Sequence, residues 1–96
     1  MKFSYSSDLH VDFYTSYANQ KLLNMYSALE RTQGVSYHLV AGDTSNSVKK
    51  TNEFLANING VVYCYGNHEY YDGEFTPIND LQVYDLNGVR CVVGTL

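Results

Sequence analysis

The feature that most constrains this chain is a triple recurrence. Three strand-like runs each end abruptly in residues of the kinds that bind metals. Lys2-Phe3-Ser4-Tyr5-Ser6-Ser7 leads into Asp8-Leu9-His10, and Tyr37-His38-Leu39-Val40-Ala41 leads into Gly42-Asp43. Val61-Val62-Tyr63-Cys64-Tyr65 leads into Gly66-Asn67-His68-Glu69. In open α/β sheets, sites form outside the carboxyl ends of the strands. Three parallel, neighbouring strands would therefore gather Asp8, His10, Asp43, Asn67 and His68 at one point.

The intervening segments carry the helical period. Residues 2–7 alternate Phe3 and Tyr5 against Ser4 and Ser6, as a first strand does. Residues 11–17 read as a loop. Over residues 18–32, Leu22, Tyr26 and Leu29 recur at helical spacing with Met25 beside them, and Gly34 supplies the stop. Residues 36–41 form a second strand. Residues 46–58 form a second helix, capped by Ser45 or Asn46, with Val48, Leu55 and Ile58 on one face and Asn59-Gly60 at its end. Residues 61–65 are the third strand. This alternation predicts parallel pairing with right-handed crossovers.

After Asp72-Gly73 and Pro77 the pattern changes. Gln82 to Leu86 and Val89 to Val93 flank Asn87-Gly88, the strongest two-residue signal for a hairpin. The expected fold class is α/β, a β-α-β-α-β unit plus a β-hairpin, in a single domain over residues 1–96. No repeat, low-complexity tract or linker divides it.

Composition narrows the function classes. A chain of 96 residues builds one small domain with a thin core. Net charge is −4 and no Lys/Arg cluster occurs, which argues against a dedicated nucleic-acid or membrane surface. A phosphate-bearing substrate stays open, because bound cations would supply the positive charge. Cys64 and Cys91 sit in apolar runs without C-x-x-C spacing, so buried, reduced thiols are expected, and with them a cytoplasmic address. The N-terminus has no signal-peptide core, and no run approaches the length of a membrane span. The ten tyrosines read as core filling with hydrated hydroxyl tips.

Asp8 and His10 are two residues apart; on an extended strand end both would point to one side and chelate as a pair. Asp43 adds a carboxylate able to bridge two cations, and Asn67 a neutral amide oxygen. Mixed oxygen and nitrogen ligation suits Mn, Fe, Ni or Zn. His68, just beyond, is placed to give a proton to a leaving oxygen or to stabilise charge on a phosphoryl group. Taken singly, each motif has a plainer reading: Asp-x-His as a surface turn, Gly-Asp as a helix cap, Gly-Asn-His-Glu as a turn. Their order, each after a strand and with helices between, favours the metal reading. Glu69 reads as a hydrogen-bonding support, and His38, well back along its strand, as structural.

Ser7-Asp8-Leu9-His10, Ala41-Gly42-Asp43 and Gly66-Asn67-His68-Glu69 resemble the first three motifs of the calcineurin-like metallophosphoesterases. The resemblance spans almost the whole chain. It implies roughly half of a helix-flanked β-sandwich, a dinuclear site and hydrolysis of phosphomonoesters or phosphodiesters by a metal-activated water. Asp8 and His10 would hold the first divalent metal ion, Asp43 would bridge, Asn67 would hold the second, and His68 would be the catalytic histidine. Thr44-Ser45-Asn46 stands where the protein serine/threonine phosphatases have Asp-Arg-Gly, so the similarity is closer to the family's small hydrolases of varied phosphoesters.

The family's later motifs, a lone His and then Gly-His-x-His, have no counterpart before Leu96. The chain is therefore expected to correspond to the N-terminal part of such a catalytic domain. Its partners would be a phosphate ester substrate and a complementary C-terminal fragment or a second copy meeting an exposed sheet face. The alternative is a non-catalytic, metal- or partner-binding remnant of such an enzyme.

Overall fold

β1 (Lys2–Ser6), β2 (Val35–Ala41) and β3 (Val61–Cys64) pair in parallel and lie side by side in the order of the sequence. The computed structural model describes residues 1–72 and 82–94; Gly73 and Pro77, read above as loop punctuation, lie outside the described residues. The parallel register sets Tyr5 beside Leu39 and Leu39 beside Val62. Parallel strands need long crossovers, and helices α1 (Ser16–Gln33) and α2 (Val48–Leu55) supply them.

Both helices cover the same face of the sheet. Tyr26 from α1 and Phe54 and Leu55 from α2 join Val40 of β2 in one core cluster, with Val11 and Ile58. Strand alternation puts His38 on that face too. His38 is fully buried; its Nδ1 meets Ser4 Oγ and its Nε2 lies 2.9 Å from Glu30 Oε1, so it ties β2 to β1 and to α1. Ser6 Oγ and Tyr26 Oη are 2.7 Å apart, a second polar tie in the same layer. These three bonds satisfy polar groups that burial would otherwise leave unpaired.

The helix ends follow local chemistry. Thr15 Oγ1 accepts from Ala18 N at 3.1 Å, so α1 starts within the segment expected to be loop. Only Val11–Phe13 of that segment forms a separate 3-10 turn. Gly34 ends α1 in the left-handed conformation at φ +67°, its N–H donating to Leu29 O. Ser47, not Ser45 or Asn46, caps α2, and the helix stops at Leu55. Ser45 and Asn46 are engaged elsewhere, as described below. Met25, expected beside the buried stripe, is exposed.

The hairpin forms as expected from β4 (Gln82–Leu86) and β5 (Val89–Val93). Asn87 and Gly88 both take positive φ, +54° and +87°, the conformation a two-residue turn of matching twist requires. The hairpin is a separate two-stranded sheet beside β3. Between Val93 and the sheet lies an apolar cavity of about 170 Å³ lined by Leu39, Ala41, Val62 and Cys64. Further along that face, Phe3 and Tyr5 of β1 are exposed. Cys64 and Cys91 are not disulfide-bonded, and both are half-buried rather than buried. Among the described residues, no helix is long and apolar enough to cross a membrane.

Candidate metal centre

Because β1, β2 and β3 are parallel neighbours, three loops leave the same end of the sheet. The first is fastened to the second: Asp8 N donates to Gly42 O (3.1 Å), His10 N to Asp43 O (3.2 Å) and Val11 N to Thr44 O (2.8 Å). The second touches the third through glycines. A Cβ on Gly42 would lie 2.9 Å from Gly66 Cα, and one on Gly66 would lie 2.2 Å from Asp43 Oδ1. The loops approach this closely because neither position carries a side chain.

Asp43 lies at the centre. The short helix α3 (Asn67–Tyr70) starts at Gly66, which has no side chain with which to cap it. Asp43 Oδ1 takes that part across the site, accepting from His68 N at 3.0 Å. The same contact explains Gly66: the volume of its absent Cβ is filled by the carboxylate of Asp43.

Glu69 locks the arrangement. It is fully buried and accepts four hydrogen bonds. Oε1 accepts from Asp43 N (2.9 Å) and Gly66 N (2.7 Å). Oε2 accepts from Ser45 N (2.8 Å) and Thr51 Oγ1 (2.8 Å). Four donors on one carboxylate offset the cost of burying it. Glu69 is a support, as expected from the sequence, and it joins the second loop, the third loop and α2.

One donor atom each from His10, Asp43 and His68 falls within 4.8 Å of the others. The His10 and His68 rings meet edge to face, with centroids 4.9 Å apart. One terminal atom of the Asn67 amide lies 3.0 Å from both carboxylate oxygens of Asp43. A nitrogen there donates to both; an oxygen there would share a cation with them. His10 Nδ1 is buried without a hydrogen-bond partner, the condition of a ring whose environment lacks a polar component. These observations fit a divalent cation held by a mixed nitrogen and oxygen set.

Asp8 is different. It is exposed, and its carboxylate lies outside the three-donor cluster. The period-two argument that paired it with His10 requires an extended chain. β1 ends at Ser6, and Asp8 and His10 are both left-handed, at φ +55° and +46°. Asp43 shares that conformation at φ +56°. Left-handed backbone disfavours a residue with a Cβ by about 1–2 kcal/mol, and such positions gather at functional sites.

Sequence reasoning missed Asn46. Its Oδ1 lies 2.6 Å from His68 Nδ1, and an amide oxygen only accepts, so Nδ1 carries the proton. Asp12 Oδ2 in turn accepts from Asn46 N at 3.0 Å. The local signal at Asn46, a polar residue ahead of a helix, was that of a cap, and nothing local separates the two roles. Asp72 acts at the opposite end of α3, accepting from Val48 N at 3.0 Å at the start of α2. A scan of protein-family models, a search of curated proteins and a search of solved structures find no match for this chain.

Proposed function

We propose that the chain is a metal-dependent phosphoesterase of the calcineurin-like metallophosphoesterase kind, acting on phosphomonoesters or phosphodiesters. The observation that carries this reading is the convergence of His10, Asp43 and His68 from three separate strand ends. His10, Asp43 and Asn67 hold divalent metal. Asp8, whose N–H is bonded to Gly42 O next to Asp43, would add its carboxylate to that set. Divalent metal bound there supplies Lewis acidity and a lowered pKa for water. His68 does the proton work. With Nδ1–H committed to Asn46, Nε2 is the ring atom that carries or gives up the second proton, and it hands that proton to the leaving oxygen.

The test separates binding from chemistry. The purified chain should take up Mn²⁺ by elemental analysis and hydrolyse an aryl phosphodiester. Asp43→Asn should lose both properties, and His68→Gln should keep the metal and lose turnover. A chain that folds normally and binds no metal removes the proposal.

A second reading rests on the exposed Phe3 and Tyr5 and on Asp8 standing outside the cluster. In that reading the chain is a non-catalytic, metal- or partner-binding relative of such enzymes. It binds Mn²⁺ without turnover.

A further inference from the structure

The chain segments that follow His10 and His68 carry an unusual load of exposed aromatic rings. Phe13, Tyr14 and Tyr17 follow His10, and Tyr70 and Tyr71 follow His68. All five are between 52% and 79% exposed. Single exposed apolar residues need no explanation, but a concentration on the segments of one site does. Among the described residues, only Phe3 and Tyr5 are comparable exposed aromatics elsewhere.

Phe13 is tied directly to the candidate centre. Its ring centroid is 5.7 Å from that of His10, which in turn meets His68. At 66% exposure, Phe13 still offers ring surface to a ligand. Tyr70 and Tyr71, at the end of α3, pack against each other at 5.8 Å. Phe13, exposed beside the candidate centre, offers a stacking platform, because any planar π system can lie on its ring without a specific hydrogen-bond pattern.

We infer that the site takes phosphoesters whose organic group carries a planar aromatic ring, with Phe13 as the ring that receives it. Nucleotides and simple aryl phosphates share this chemistry. The inference rests on the phosphoesterase reading above and adds the substrate class. No basic stripe accompanies the platform, so the ligand is a small ester rather than a polynucleotide.

The experiment uses Mn²⁺-loaded chain and isosteric phosphonates, whose C–P bond resists hydrolysis, with affinities from calorimetry. Two pairs are compared: the methylene phosphonate analogues of AMP and of ribose 5-phosphate, and phenylphosphonate with ethylphosphonate. Stacking should favour the aromatic member of a pair by about tenfold. Phe13→Ser should shrink that ratio, and a ratio unchanged in that variant overturns the assignment of Phe13. A gain in the nucleotide pair assigns nucleotides as the source; a gain confined to the phenyl pair assigns simple aryl esters. Equal affinities within both pairs overturn the inference while leaving the phosphoesterase reading intact. Failure to bind Mn²⁺ at all removes both.

Discussion

The buried carboxylate of Glu69 accepts the backbone N–H of Asp43 at 2.9 Å, and this bond joins the end of β3 to the end of β2. Its other three bonds reach Gly66, Ser45 and Thr51. A side chain that offers nothing to a ligand therefore sets where the ligands stand. Asp43 is fixed from its own N–H by Glu69 and fixes α3 in return through His68 N.

Replacing Glu69 should be costly in both stability and metal affinity. Glu69→Ala strands four donors in a buried layer, and an unsatisfied buried group costs about 1–3 kcal/mol. Some donors will find water, so a net loss of about 3 kcal/mol is expected from urea unfolding. Mn²⁺ uptake should fall with it. An unchanged unfolding midpoint would show that the clamp contributes nothing.

The glycines divide into two kinds. Gly66→Ala places a Cβ 2.2 Å from Asp43 Oδ1 and should displace the carboxylate, abolishing metal uptake. Gly34→Ala meets nothing within 4 Å and suffers only the strain of φ +67°. It should cost about 1 kcal/mol and leave metal binding unchanged. Titration of both variants with Mn²⁺, alongside thermal melts, distinguishes them.

Asn46→Ala should separate turnover from binding. It removes the acceptor that orients His68 through Nδ1 without touching His10 or Asp43. Loss of such an orienting partner costs about tenfold or more. The fall is expected in kcat, with metal content retained and KM little changed. A mutant as fast as the parent would mean that His68 needs no such partner.

Stability should fall in strong base. Burial raises the hydroxyls of Tyr26, Tyr65 and Tyr84 above their ordinary 10.0, while hydrogen bonding with Ser6, Asn52 and the Tyr63 main chain opposes the rise. Below pH 10 these phenols are neutral in both states, and their contribution is fully present. As pH rises past 10 the unfolded chain releases those protons first, so unfolding becomes progressively more favourable, and the contribution is lost through the raised folded values. Denaturant midpoints at pH 9 and pH 11, with phenolate absorbance read in parallel, should show the loss together with a late-titrating group of tyrosines. Tyr26→Phe should lessen the pH dependence.

The order of elements was legible because it is local. The alternation of Phe3 and Tyr5 with serines, the stripe through Leu22 and Tyr26, the stop at Gly34 and the Asn87-Gly88 turn each state their geometry within a few residues. From strands alternating with helices, parallel pairing followed, and from parallel pairing, a common end for His10, Asp43 and His68. What the sequence determined by itself is this framework and the identity of the groups it delivers.

Only the tertiary structure decided how those groups stand. Asp8 carries the same local signal as His10, yet a left-handed turn after Ser6 leaves its carboxylate outside the cluster. Asn46 looked like a helix cap, and its distance to His68 made it an orienting partner. Glu69 was expected to support the site, but its four donors come from segments up to 26 residues away. Periodicity and turn preference are properties of neighbouring residues. Rotamers, close backbone approach and shared hydrogen bonds depend on segments distant in the chain, and they are fixed only when the packed sheet brings those segments together.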